Sequence, residues 1–227
     1  MKQILLIAGL LFFYRSEAQV VNTKSMFLED ITGKPFLNMN TEGIEGSPFL
    51  SEDWFPGQVR LKDGRVAEAM YLRFNMYGNK LYFQRDGKQL EFVDPVSEFV
   101  IRMNTDVKKK QLLYRSEYPP VDEYNENTFY EVLTDGKVQL LRYGYKTVEE
   151  YRTYNEPPKK KFVDKEAYFV YTEGKIVKVK RDKEDLMKAL PAYANTINLI
   201  VESQKLKLKN TEALSELIAQ VNKRQGN

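Results

Sequence analysis

The chain has 227 residues, 35 basic against 32 acidic, a formal net charge of +3, and neither cysteine nor histidine. The missing residue types exclude disulfides, cysteine nucleophiles, zinc–thiolate sites, histidine-ligated metals and every catalytic arrangement built on a histidine base. Charges mixed along the chain, rather than gathered into a basic stripe, argue against nucleic acid as a partner, and 42% hydrophobic with 30% charged residues is a globular balance.

The N-terminus reads as an address. Met1-Lys2 supplies a positive start, Ile4 to Tyr14 is an almost unbroken apolar run, and Ser16-Glu17-Ala18 offers a small-x-small cleavage site. This predicts a secretory signal peptide over 1–18, cut after Ala18. The run is shorter than the roughly 20 residues that cross a bilayer, and no later stretch replaces it. The expected mature chain is therefore soluble, without a transmembrane span, and periplasmic or extracellular.

Residues 19–56 read as an irregular lead-in. Gln19 to Leu28 ends in an apolar triplet that suits a short edge strand. Asp30 to Trp54 is rich in Gly, Asn, Pro and Ser, the composition of a loop. Its apolar residues (Phe36, Leu37, Phe49, Leu50, Trp54, with Phe55) are too many for a free linker and are expected to plug one end of a sheet.

From 57 to 180 the grammar is that of strands. Met70, Leu72 and Phe74 share one phase while Ala69, Tyr71 and Arg73 take the other; Leu81/Phe83, Leu90/Phe92 and Phe99/Ile101/Met103 alternate in the same way. Period-two alternation buries one face. Asp63-Gly64, Asp86-Gly87, Asp135-Gly136 and Glu173-Gly174 punctuate the runs as hairpin turns. Asp106 to Lys110 is a charged turn before a strand at Gln111 to Arg115. Ser116 to Asn127, with Pro119-Pro120, and Thr147 to Lys161, with EPPKKK, are expected to be two long loops. Over 181–227 the spacing becomes helical. Asp182 caps a first helix, Pro191 opens a second, and Asn210-Thr211 caps a third whose Leu214, Leu217, Ile218 and Val221 form one stripe. The predicted fold class is α+β: an antiparallel β-meander, curved into a half-barrel or barrel-like sheet, with three C-terminal helices docked on it.

The order of motifs resembles a group of secreted proteins of Bacteroidota. The likeness rests on GSPFL at Gly46, Trp54 followed by Gly57-x-Val-x-Leu-x-Asp-Gly, YLRFNMYGNKLYF at Tyr71, PVSEF at Pro95, and DLMKALPAYANTINLIVESQKLKLKN in the tail. That group has no assigned activity. The resemblance implies an envelope or extracellular address in a Gram-negative bacterium and transfers no functional residue.

Motif by motif, no phosphate-binding, dinucleotide-binding, Ser-x-x-Lys or calcium-loop pattern occurs. No cofactor or metal is expected. Paired acids remain (Glu52-Asp53, Asp122-Glu123, Glu149-Glu150), which a glycan-acting enzyme could use if two converged in a cleft; adjacent acids on loops are more simply solvated. Tyrosine is abundant, at 15 residues. Tyr118, Tyr124, Tyr151 and Tyr154, beside the two proline-bearing loops, form a candidate binding surface for peptide or sugar, although tyrosine also suits half-buried strands. The triplets at Lys108–Lys110 and Lys159–Lys161 could meet anionic lipid or be plain solvated turns. The sequence thus favours a non-enzymatic secreted or periplasmic interaction or structural module, partnered by an envelope protein, glycan or lipid. The alternative is a carrier of an apolar ligand such as an acyl chain, in a pocket lined by Leu72, Phe74, Leu81, Phe83, Leu90, Phe92, Phe99 and Ile101. Otherwise those eight are simply core.

Overall fold

Alternation and turn chemistry place the strands of the computed structural model, which describes residues 25–26, 31–36, 41–104 and 109–224. The expected signal peptide lies outside the described residues, as do Leu37 and Lys108. Three short strands come first: β1 (Ser25–Met26), β2 (Gly33–Pro35) and β3 (Ile44–Glu45). Then follow β4 (Phe55–Leu61), β5 (Val66–Asn75), β6 (Lys80–Arg85), β7 (Lys88–Phe92), β8 (Val96–Asn104) and β9 (Lys109–Arg115). The sheet continues with β10 (Tyr130–Thr134), β11 (Gln139–Tyr151), β12 (Lys159–Thr172) and β13 (Lys175–Val179). The tail holds α1 (Lys183–Ala189), a 3₁₀ turn (Pro191–Tyr193), α2 (Ala194–Gln204) and α3 (Thr211–Arg224).

Two hairpins show how the turns set register. Asp86 and Gly87 join β6 to β7 with φ of 51° and 70°, and Glu173 and Gly174 join β12 to β13 with φ of 50° and 77°. Positive φ at both central residues gives the turn twist that matches two antiparallel strands. In β5 the register slips: Gly57 of β4 faces Met70 while Val59 faces Ala67. The extra residue is a bulge at Ala69, whose φ is 55°, and bulges bend a strand and sharpen its twist.

The pairing is not a simple meander. The sheet runs β13-β12-β11-β10-β9-β8-β4-β5-β6-β7-β2, with β1 parallel to β5 and β3 parallel to β12. β8 therefore lies on the far side of β4, four strand positions from β7. A flat sheet would set these two about 19 Å apart at ~4.8 Å per strand. Only Val93, Asp94 and Pro95 join them, and four Cα steps reach at most about 14 Å. The sheet must curl so that the end of β7 meets the start of β8. It is open and curved, not a closed barrel.

Curling covers the first apolar face. Leu72, Phe74, Leu81, Phe83, Leu90, Phe99 and Ile101 are buried in one cluster with Phe92 packed against it. Ring contacts fill its middle: Phe74 to Phe99 at 5.3 Å, Phe99 to Tyr114 at 4.7 Å, Phe83 to Phe92 at 4.5 Å. The helices cover a different part of the sheet. Val138, Leu140, Val170 and Val179 lie under Leu186, Ile197, Ile200 and the stripe Leu214, Leu217, Ile218 and Val221. Asp182 caps α1 by accepting from Asp185 N at 2.9 Å, and Asn210 accepts from Ala213 N at 2.9 Å. Lys205, in the left-handed region with φ of 49°, ends α2. Asn222 of α3 then clamps the sheet: its amide accepts from Val138 N at 2.9 Å and donates to Val138 O at 2.8 Å.

Thr147 to Lys161 is corrected from loop to ribbon. Thr147–Tyr151 extends β11 and Lys159–Lys161 opens β12, in one unbroken antiparallel ladder from Gln139↔Tyr171 to Tyr151↔Lys159. Polar composition hid these strands, because pairs such as Glu149↔Lys161 and Glu150↔Lys160 stabilise a ribbon by cross-strand charge.

Candidate functional site

The four tyrosines do not make one surface. Tyr118 and Tyr124 are 4% and 8% exposed and belong to a third core cluster with Tyr130, Leu141, Phe169 and Ile176. The 116–129 loop folds down over the sheet face that the helices leave open, because β11 and β12 are apolar on both faces there (Leu140-Leu141, Tyr168-Phe169-Val170). Tyr118 donates to Gln139 Oε1 at 2.7 Å, and its ring meets Tyr130 at 5.6 Å. The expectation of a Tyr118/Tyr124 binding face is corrected: these rings were needed as cover.

Tyr151 and Tyr154 sit elsewhere, on the β11–β12 ribbon. Past Arg142, β11 has no β10 partner, and before Tyr168, β12 has no β13 partner. The ribbon from Tyr145 to its turn is thus an arm of two strands about 20 Å long at ~3.4 Å per residue, with β3 added at Lys160–Lys161. Its inner half rests on the β5–β6 turn, where Phe162, opposite Val148, meets Tyr77 at 5.5 Å and Gly144 faces the Met76 methyl. Tyr151 donates to Glu45 at 2.6 Å and lies under Lys161 at 5.0 Å. At the tip Tyr154 is 90% exposed. Lys159 pairs with Glu156 at 2.6 Å and Lys165 with Glu149 at 2.7 Å, so the basic triplet is part of an alternating charge pattern.

A charged cleft of about 490 Å³ lies at the inner end of this arm, between Leu50, Met76 and Tyr114 on one side and Glu131, Arg142, Lys146, Asp164 and Glu166 on the other. Glu131 is buried, and its carboxylate accepts from Arg142 Nε at 2.9 Å and from a terminal guanidinium nitrogen. Arg142 also faces Glu166 at 3.6 Å, and Lys146 meets Asp164 at 3.4 Å. Burial works against the charged Arg142, but the Glu131 charge and hydrogen bonds outweigh it and raise the guanidinium pKa. Burial, with Glu131 adding to it, pushes the Tyr114 phenol far up. These acids are already salt-bridged. The acids singled out in the sequence are scattered instead: Glu52-Asp53 in the turn before Trp54, Asp122-Glu123 in the 116–129 loop, Glu149-Glu150 on the arm. Glu131 and Arg142 carry a readable signal, since each stands inside a short apolar run, Tyr130 to Leu133 and Leu140 to Tyr143.

Where the curl fails to close, a second cleft of about 330 Å³ opens between β7 and β8. Leu81, Phe92, Val96 and Phe129 line it, and Lys62, Asn79, Lys80 and Asn127 rim it. Asn79 holds the rim by accepting from Phe129 N at 3.2 Å and donating to Asn127 O at 3.2 Å.

Near the lead-in, Arg73 is clasped by Phe49 at 4.0 Å and Trp54 at 4.5 Å. These stacked contacts fix the lead-in on β5. Among the described residues no three acids are placed to hold a metal ion, and no helix is long and apolar enough to cross a membrane. No protein-family model, curated protein or solved structure matches the chain.

Proposed function

We propose that this is a non-enzymatic interaction module of the bacterial envelope, exported by its N-terminal 1–18 segment, as in the Bacteroidota group it resembles, and presenting the β11–β12 arm to a partner. The observation that carries this reading is the arm itself. Thirteen- and fourteen-residue strands leave the shared sheet and end in a 90% exposed tyrosine. Tyrosine is enriched among the residues that anchor protein interfaces, which supports this reading of Tyr154. The partner is an envelope protein or glycan. Affinity capture from envelope extract with the mature protein, beside a Tyr154→Ser variant of equal Tm, tests it. A partner retained by the parent and lost by the variant is expected; identical captures, or turnover of a glycan or ester by the parent, would overturn the reading.

The cleft between β7 and β8 favours one second reading, a carrier of a small amphiphile whose apolar part lies on Leu81, Phe92 and Phe129. The packed rings of the neighbouring core weigh against a long acyl chain. Native mass spectrometry of protein purified from its host decides: adduct masses support a carrier, and the bare polypeptide alone removes it.

A further inference from the structure

The last strand of the sheet is an edge. β13 pairs with β12 on one side, and among the described residues no strand pairs with its other side. Such an edge offers N–H and C=O groups to any extended chain that fits, here as far as Lys178, since Lys180 N already donates to Asp185 at 2.7 Å. Three features say which chain fits.

The first is an apolar notch beside the edge. The helical layer covers Val179 of β13 but leaves Val177 open, and beside Val177 lies a cavity of about 150 Å³ walled by Leu190, Pro191 and Ala192, with Glu173 and Lys175 also in its lining. Val177 is 39% exposed there. Thr172 Oγ1, buried without a hydrogen-bond partner, also belongs to this wall. The second is charge. In an extended strand, residues two apart share a face, so Lys178 falls on the face opposite Val177, and Lys180 continues its phase. Among the described residues Lys178 pairs with Asp122 alone, at 3.3 Å across the surface, a pair of the kind that contributes little. The third is that the same lysines oppose pairing of two copies. Antiparallel β13 strands from two molecules, paired with Val179 opposite its copy, would set Lys178 of each against Lys180 of the other, and like charges on facing strands are destabilising.

We infer that the outer edge of β13 binds an extended segment of a partner polypeptide that alternates apolar and acidic residues. The segment adds as a further strand, its apolar side seated against Val177 and the notch and its acidic side against Lys178 and Lys180. Main-chain hydrogen bonds supply the affinity of such strand addition, and the alternating side chains supply its selectivity. This assignment rests on the interaction-module reading but uses a surface other than the arm.

The probe is the blocked, fluorescein-labelled hexapeptide Asp-Val-Glu-Leu-Asp-Val, followed by anisotropy with the mature protein. Saturable binding that weakens with salt is expected. Three changes should each weaken it about tenfold or more, ~1.4 kcal/mol or more: N-methylation of alternate peptide bonds, Ala192→Trp to fill the notch, and Lys178→Glu/Lys180→Glu. The last variant should gain affinity for Lys-Val-Lys-Leu-Lys-Val. All substituted side chains are exposed, so an unchanged Tm checks the fold. The Tyr154→Ser arm variant should bind the peptide as the parent does, which separates a failure at this edge from a failure of the arm. Absence of binding, binding indifferent to N-methylation and to Ala192→Trp, or a parent dimer that Lys178→Glu/Lys180→Glu alters would each overturn the assignment.

Discussion

Gly57 shows how a single missing side chain permits the curl. A Cβ there would lie 2.3 Å from Val100 O and 2.4 Å from Leu72 Cδ1, one a backbone atom that cannot step aside. Gly57→Ala should destabilise by the upper end of the roughly 1–3 kcal/mol that overpacking costs, read as a shifted urea midpoint with unchanged slope. The Glu131–Arg142 pair makes a contrasting case. Glu131→Ala leaves a half-buried guanidinium whose nearest remaining acid is Glu166 at 3.6 Å, and should cost about 3 kcal/mol. Glu131→Leu with Arg142→Met should recover most of that loss, because removing both charges also removes their desolvation. A double-mutant cycle in urea decides, and additive losses would disprove the coupling. The buried tyrosines set the alkaline limit. Burial pushes the Tyr118 phenol up to about 12, above its unfolded value of about 10. A raised folded pKa gives stability that is complete below the unfolded value and is lost as pH rises through the folded one. Stability should therefore hold to about pH 10 and fall from there through pH 12, and Tyr118→Phe should lessen the slope.

Individual elements show what the sequence can and cannot say. Asn222 acts on Val138 like a short piece of strand, with one bond given and one received. Asn222→Ala should cost about 2 kcal/mol, near 1 kcal/mol for each net hydrogen bond. Asn222→Asp should cost at least as much, since it trades the donor that Val138 O needs for a second acceptor. Thermal melts of the three proteins suffice. The α3 stripe and the caps at Asp182 and Asn210 were legible because helix periodicity and capping are local. The turn at Asp86-Gly87 was legible for the same reason. The arm was not, since Thr147–Tyr151 and Lys159–Lys161 have no apolar alternation to betray them, only cross-strand charge that appears once the register is known. The burial of Tyr118 and Tyr124 is not legible locally, because whether a proline-bearing loop folds back as cover is set by the distant apolar faces of β11 and β12.

Over the whole molecule, one sheet is buried in two ways. The first half covers itself by curling, with Phe74, Phe99 and Tyr114 inside, and the second half is covered by helices on one face and the 116–129 loop on the other. Strand content was readable from alternation, whereas the return of β8 to β4 was not. That pairing joins residues some forty positions apart, such as Gly57 and Ile101, and nothing local announces it. It also makes Pro95 a keystone of the curl, since Lys62 N donates to Pro95 O at 2.8 Å. Lengthening the Val93–Pro95 link with glycines should lower Tm while leaving α3 docked, which hydrogen exchange can resolve by measuring protection separately at Ile101 and Val138.

The order in which the polypeptide is made gives the C-terminal cover a further consequence. Strands β10 to β13 leave the ribosome first, and the greasy side formed by Val138, Leu140, Val170 and Val179 stays naked until Leu217 and Val221 follow. Throughout that interval an uncovered apolar face is open to association with other chains. A transcript that stops near Asn210 should yield a product that is captured or degraded, however complete its sheet.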